Sequence, residues 1–231
     1  MKKYLIGLMF IILSSGLFAQ DNKVTGGLYV SPIFSWLKPD SKVVEKDGSR
    51  FGFGFGIPID FNFSKNFAFS TGISFENLGG SLNYLDSIPE FKTVDVTFDS
   101  LPPNTVIDYR IQYLEIPLSL KGKTNEIGYL TYFIKAGITP GFRFKSKGDI
   151  TVNGGKDNDI KDEVKAFNLG YHISGGFEYS LGGSTKLLVE VVFTNGLSNF
   201  SKVETRKTSA DALKNDKVIV NNLALRLGIL F

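Results

Sequence analysis

The chain has 231 residues, among them 25 glycines and 21 phenylalanines, with 13% aromatic and 21% charged residues. So apolar and aromatic a composition excludes a disordered chain and suits a β-rich fold of one or two domains. A formal charge of +3 gives no electrostatic footing for nucleic acid, and the lack of cysteine excludes a disulfide framework, a thiol nucleophile and a lipidated cysteine anchor.

Met1-Lys2-Lys3 makes a basic start, Tyr4 to Leu13 (YLIGLMFIIL) an apolar run, and Ser14-Ser15-Gly16 breaks it before Leu17-Phe18-Ala19. This order predicts a secretory signal peptide over 1–19, because the apolar run is short for a bilayer span and a small residue stands at the cleavage point. Removing Lys2 and Lys3 leaves 24 of the 26 bases against 23 acids, so the remaining domain, 20–231, carries +1. Nothing later in the sequence reads as a transmembrane helix, so this exported domain enters a membrane only as a closed barrel.

Val24 to Trp36 reads as a first, weaker strand, with Leu28, Val30, Phe34 and Trp36 on one parity. Residues 50–63 (RFGFGFGIPIDFNF) alternate without a fault: Phe51, Phe53, Phe55, Ile57, Ile59, Phe61 and Phe63 against small or polar neighbours. A period of two means one greasy face and one polar face, and the run exceeds the 9–11 residues or so of a bilayer-crossing strand. The same pattern recurs at 67–77, 111–121, 129–144, 166–180, 185–194 and in the last segment from Ile219 to Phe231. In 185–194, Leu188 and Val192 blur the polar face. Pro32, Pro58, Pro117 and Pro140 fall inside strands, and each removes a ladder donor, which predicts bulges there.

The links at 64–66, about 122–128 and 181–184 are tight, whereas those at roughly 38–49, 78–109, 146–164 and 195–217 are long and polar. Short turns alternating with long loops predict an all-β, transmembrane antiparallel up-and-down β-barrel of about eight strands. Its short turns face the periplasm, its long loops are extracellular, and an even count puts both ends on the turn side. The run FKTVDVTF (91–98) also alternates, so either the flanking strands rise above the membrane as a hairpin or ten strands replace eight. Phe63, Phe67, Tyr179 and Phe231 near the turns, with Trp36, Phe51, Phe75, Phe144, Phe167 and Phe193 near the loops, predict two interfacial aromatic girdles.

Three segments carry a family likeness: YLEIPLSLK (Tyr113 to Lys121), YFIKAGITPG from Tyr132, and the ending NNLALRLGILF (Asn221 to Phe231). Together they resemble the PorT-like outer-membrane barrel family of Bacteroidota, over nearly all of the mature chain. The resemblance implies a Gram-negative protein of the cell outer membrane. Terminal Phe231 after Leu225, Leu227 and Ile229 is similar to the strand signal read by the barrel-assembly machinery, which implies that machinery as a partner during insertion. The namesake's association with type IX secretion implies an accessory part in protein secretion. These are strand patterns, and they specify fold better than activity.

Four constellations bear on chemistry. Gly52, Gly54 and Gly56 lack the spacing and context of a phosphate loop and read as small inward residues. Arg50, Asp60, Glu76, Glu115, Lys135, Arg143, His172, Glu178, Lys186, Glu190 and Arg226 share the inward parity. In a bore as narrow as eight strands make, they predict a salt-bridged plug centred on Glu115, Lys135, Glu178 and Arg226, not a pore. His172, the one histidine, shares a face with Ser174 and Glu178, but one strand does not bring a base, a nucleophile and an orienting group together. The acidic run 157–163 (DNDIKDE) fails the calcium-loop pattern and reads as a solvated loop.

The expected function is therefore that of a non-enzymatic outer-membrane barrel acting structurally or in interactions through its outer loops. Expected partners are outer-membrane lipid and lipopolysaccharide, the assembly machinery, and envelope or secretion proteins, with no nucleic acid. No catalytic, cofactor-binding or metal-binding residue is assigned, and no cofactor is expected. An outer-membrane lipid-modifying enzyme and a small channel are the alternatives.

Overall fold

A computed structural model describes residues 23–94, 97–152, 155–205, 214–215 and 217–231, so the leader expected over 1–19 lies outside the described residues. Alternation along each strand leaves every strand with one face for lipid and one for an interior, and the sheet closes on itself accordingly. β1 (Val24–Asp40), β2 (Val44–Asn62) and β3 (Phe67–Tyr84) form a meander. β4 (Phe91–Lys92) and β5 (Thr97–Phe98) pair as a small hairpin in the loop that follows. β6 (Thr105–Glu115), β7 (Leu118–Lys123) and β8 (Leu130–Ile150) continue the wall, and β9 (Gly155–Asp159) folds back onto β8. β10 (Phe167–Gly182) and β11 (Thr185–Gly196) follow, then the short pair β12 (Glu204–Thr205) and β13 (Lys214–Asn215), and β14 (Lys217–Leu230) closes the ring against β1.

β6 and β7 are two pieces of one barrel strand. Ser74 stands opposite Glu115 and Ser70 opposite Ser119, the same register on both sides of Ile116 and Pro117. The ring thus has eight staves, β1, β2, β3, β6/β7, β8, β10, β11 and β14, all antiparallel. The run 91–98 adds no stave: β3 and β6 rise together, Tyr84 opposite Thr105, and β4–β5 sits beyond them.

The bulges expected at Pro32, Pro58 and Pro140 do not form. β1 and β14 pass over Ser31 and Pro32 and resume in the same register, with Val30 opposite Leu227 and Ile33 opposite Ala224. The β1–β2 ladder does the same at Pro58, and the wall does so at Pro140, where Ile116 N–H still donates to the Pro140 carbonyl at 3.0 Å. A missing donor costs a rung, not a residue. Pro117 is different, because it divides the strand. True register slips in the wall lie elsewhere, at Phe144 in β8, between Lys46 and Gly48 and between Ser49 and Gly54 in β2, and between Ser180 and Gly182 in β10. The Phe144 slip reverses parity, so Lys145, Lys147 and Asp149 face out while Ser146, Gly148 and Ile150 face in.

The outer face carries an apolar band. On β2 it runs from Phe51 to Phe63, about 30 Å along the barrel axis at a tilt near 40°. Stacked, tilted or edge-on rings border it: Phe63 with Phe67 and Tyr129 with Tyr179 at the turn end, Phe34 with Phe51, Trp36 with Phe193, and Phe142 with Phe167 at the loop end.

The loops are not the solvated strands of polar chain that their composition suggests. The first is a three-residue turn, 41–43, instead of 38–49, because Leu37 and Val44 turn inward and are fully buried. Ile88, Phe91 and Leu101, then Ile160 and Val164, then Phe200 and Val203 join them with Tyr84, Tyr109 and Val220 in one apolar cluster over the loop end. Backbone bonds knit the loops: Val94 N–H to the Asp159 carbonyl, Lys165 N–H to Phe200, Lys202 N–H to Glu163. The acidic run 157–163 is part of this cap, since Ile160 is fully buried and Glu163 nearly so.

Candidate functional site

Below the apolar cap the bore is polar, and its charges sort into two groups. Nearer the turns, Lys121 Nζ lies 2.5 Å from both Asp60 Oδ2 and Glu178 Oε1. Lys186 reaches the other oxygen of Glu178 at 2.9 Å, and Ser70 donates to Asp60 at 2.5 Å. Lys121, on β7, therefore ties β2 to β10, reaching past β3 on one side and β8 on the other. Sequence reading omitted it, although it continues the parity of Ser119 by one step.

Midway along the bore, Arg226 meets Glu76 at 3.1 Å, an ion pair that crosses the lumen from β14 to β3. Its other nitrogen lies 3.9 Å from Glu190, its neighbour on β11, and its guanidinium covers the Tyr29 ring. Lys135 reaches Glu190 at 3.3 Å, and Ser174 donates to the same carboxylate at 2.6 Å. Lys121 and Lys135, directly opposite on β7 and β8, both lie over the Phe133 ring, whose negative face eases their proximity.

Of the four residues expected at the centre, Lys135, Glu178 and Arg226 join these groups. Glu115 is buried but makes no ion pair within 4.0 Å among the described residues. Arg143 faces inward and donates to Ser146 instead of to an acid. Arg50, expected in the lumen, lies outside: the β2 slip carries it over Gly79, and it lines an outer cavity with Arg110, Lys145 and Lys147. Leu188 is no fault in the polar face, since it packs inside against Phe133 and Leu230.

His172 sits between two hydroxyls, Ser119 Oγ at 2.7 Å from Nε2 and Thr139 Oγ1 at 2.7 Å from Nδ1. Ser119, Gly137 and His172 form one cross-strand row on β7, β8 and β10. Gly137 has no side chain, so the imidazole lies across it to Ser119, and a Cβ there would stand 2.0 Å from the Leu118 carbonyl. Ser174 and Glu178 do not converge on the ring, being held by Glu190 and by the two lysines. A serine–histidine contact is present, but the second ring nitrogen meets a hydroxyl where a hydrolase triad places a carboxylate. The cavity beside it, lined by Tyr29, Ser119, Lys135, His172, Glu190 and Arg226, measures about 10 Å³, room for about one water.

In the cap, Glu163 accepts the Lys92 N–H at 2.8 Å, and burial raises its carboxyl above the ordinary range. Asp157 faces Lys147 at 3.1 Å and Arg110 at 2.7 Å, and its hydrogen bond from Lys147, with the charge of Arg110, holds it below that range. No cluster of three metal-ligating side chains occurs among the described residues.

Residues 18–202 match the family described as an outer membrane protein beta-barrel domain. Three solved structures with likeness to the chain are Ail of Yersinia pestis, Neisserial surface protein A, and OprG of Pseudomonas aeruginosa. Ail is 12% identical with a TM-score of 0.41, covering 90% of this chain and 99% of its own. Neisserial surface protein A is 14% identical (TM-score 0.41, 88% and 95% covered), and OprG is 13% identical (TM-score 0.41, 90% and 92% covered). No curated protein matches the sequence.

Proposed function

The chain belongs to the outer membrane protein beta-barrel domain family, and from that premise we propose a non-enzymatic protein that acts structurally or in interactions through its folded outer loops. It resides in the cell outer membrane. The observation that supports this reading is the closed bore. Ion pairs fill its lower part, an apolar cap assembled from all four loop-end connections covers the upper part, and the cavity between measures about 10 Å³. A plugged barrel passes nothing through its bore, so partners meet it on its outer surface and its loops.

The likeness of Tyr113–Lys121 and Asn221–Phe231 to PorT-like barrels of Bacteroidota supports the narrower placement and, with it, an accessory part in protein secretion. On this reading the mature domain is 20–231 behind a leader of 1–19. Outer-leaflet lipid, the assembly machinery and envelope proteins are its partners. The test is conductance: purified protein in a planar bilayer gives no steady current. Reproducible single-channel steps altered by Lys135→Glu overturn the plug and make the protein a channel.

The Ser119–His172 contact supports a second reading, a lipid-modifying enzyme. Lipid profiles of membranes carrying wild-type, Ser119→Ala and His172→Ala protein decide it, and on the first reading all three agree.

A further inference from the structure

Just above the loop-side girdle, one stretch of the outer wall is basic. Arg110 stands opposite Lys147 and Gln112 opposite Lys145 on β6 and β8, while Gly79 and Asn77 of β3 oppose Arg110 and Gln112 on the other side. Arg50 arrives from β2 over Gly79, where an added Cβ would meet Arg50 Cδ at 3.1 Å and the Tyr109 carbonyl at 1.9 Å. These side chains enclose a cavity of about 180 Å³, far larger than the one in the bore.

Two features make it a binding site and not a solvated surface. Like charges directly opposite across a ladder destabilise a sheet, and Arg110 faces Lys147. Asp149 and Asp157 hold that pair in place, at 2.5 and 2.7 Å from Arg110 and with Asp157 3.1 Å from Lys147. Those two cations are thereby fixed beside the cavity, whereas Arg50 and Lys145 make no ion pair within 4.0 Å among the described residues. Arg110 Nε is buried without a hydrogen-bond partner.

Depth identifies the ligand. Phe51 and Phe144, 79% and 75% exposed on the outer face, immediately adjoin Arg50 and Lys145 in sequence and lie one step toward the turns. The cavity therefore opens where the apolar band ends and the headgroups of the outer leaflet begin. We propose that Arg50, Lys145, Arg110 and Lys147 form a site for a phosphate group on the glycolipid of the outer leaflet, seating one lipid against the β2–β3–β6–β8 wall. A phosphate presented at fixed depth by an acyl anchor meets four donors, two of them already oriented by carboxylates.

The proposal rests on the outer-membrane reading, and the test separates the two. Folded protein in phosphate-free maltoside micelles is titrated with bisphosphorylated lipid A and with the same lipid enzymatically dephosphorylated, and bound lipid is counted by native mass spectrometry. The expected result is preferential retention of the phosphorylated form, weakened by salt. The double variant Arg50→Ala/Lys145→Ala should bind it about thirtyfold more weakly, while Lys38→Ala/Lys46→Ala binds as wild type. If the double variant does not refold, Lys145→Gln alone should show about a fivefold loss. Equal retention of both lipids, wild-type affinity in the folded variants, or full displacement by inorganic phosphate at matched concentration each overturns the site. Protein that stays soluble without detergent and takes up neither lipid refutes the membrane reading instead.

Discussion

Replacing Lys121 by methionine keeps the length of the side chain and removes the cation that two carboxylates share. Glu178 retains Lys186 at 2.9 Å, but Asp60 is left with only the Ser70 hydroxyl, inside a bore where Asp60 is 4% exposed. Stranding one member of a buried pair costs about 3–5 kcal/mol, more than the pair itself contributes relative to an apolar replacement. With a urea slope of about 2–3 kcal/mol per molar, the unfolding midpoint should fall by about 1–2.5 M. The single tryptophan, Trp36, sits in the loop-side girdle and reports unfolding from lipid vesicles by its fluorescence. Adding Asp60→Asn should recover most of the loss, because it neutralises the stranded charge. A Lys121→Met midpoint equal to wild type refutes the reasoning, and so does a double variant no more stable than the single one.

Three further outcomes follow from the same geometry. Ile138→Arg puts a cation on the lipid face of β8 between the outward rings of Tyr132 and Phe142, where Ile138 is 45% exposed, and should cost about 2–4 kcal/mol; a wild-type folding yield in vesicles would contradict the assigned face. Phe200→Ala empties a buried site against the Tyr109 ring, 5.3 Å away, and should cost the cap about 3–5 kcal/mol. Limited proteolysis should then open the loops while the strands stay protected, and unchanged loop cleavage would show that the cap does not depend on this contact. Glu163 has a raised carboxyl in the folded cap, so its proton is bound more tightly there than in the open loop. That contribution is full below the ordinary glutamate range and is lost as pH rises through the raised value. Amide exchange over 160–164, corrected for intrinsic rates, should therefore quicken relative to Glu163→Gln as pH rises, and parallel profiles would exclude the linkage.

Parity made the barrel legible. Where a strand runs without a slip, as β2 does from Gly54 to Asn62, two-residue alternation assigns lumen and lipid directly. Parity fails at a bulge, which is why Arg50 reads inward and lies outward, and nothing in SRFGFG marks the slip. Cross-strand partners were also illegible. Ser119 meets His172 only because β7, β8 and β10 are adjacent and Gly137 stands between them, and a single sequence states neither register nor row. The cap was hidden for another reason. Ile88, Phe91, Leu101, Ile160, Val164, Phe200 and Val203 are isolated apolar residues in polar loops, without periodicity, and they become a core only when separate loops meet. Prolines misled in the opposite direction, since each removes a donor but none at 32, 58 or 140 shifts the register.

The cap also gives the barrel a direction in time. Its apolar residues come from every loop-end connection, so it cannot assemble until the last of those segments has crossed the bilayer. Before that moment no loop has the others' apolar residues to pack against. Afterwards, withdrawing any one loop means prising Phe200 from Tyr109 or breaking the Val94–Asp159 and Lys202–Glu163 backbone bonds between loops, and exposing what the others had covered. The cluster over the mouth works as a ratchet pawl, doing nothing while the chain moves outward and engaging once it has arrived.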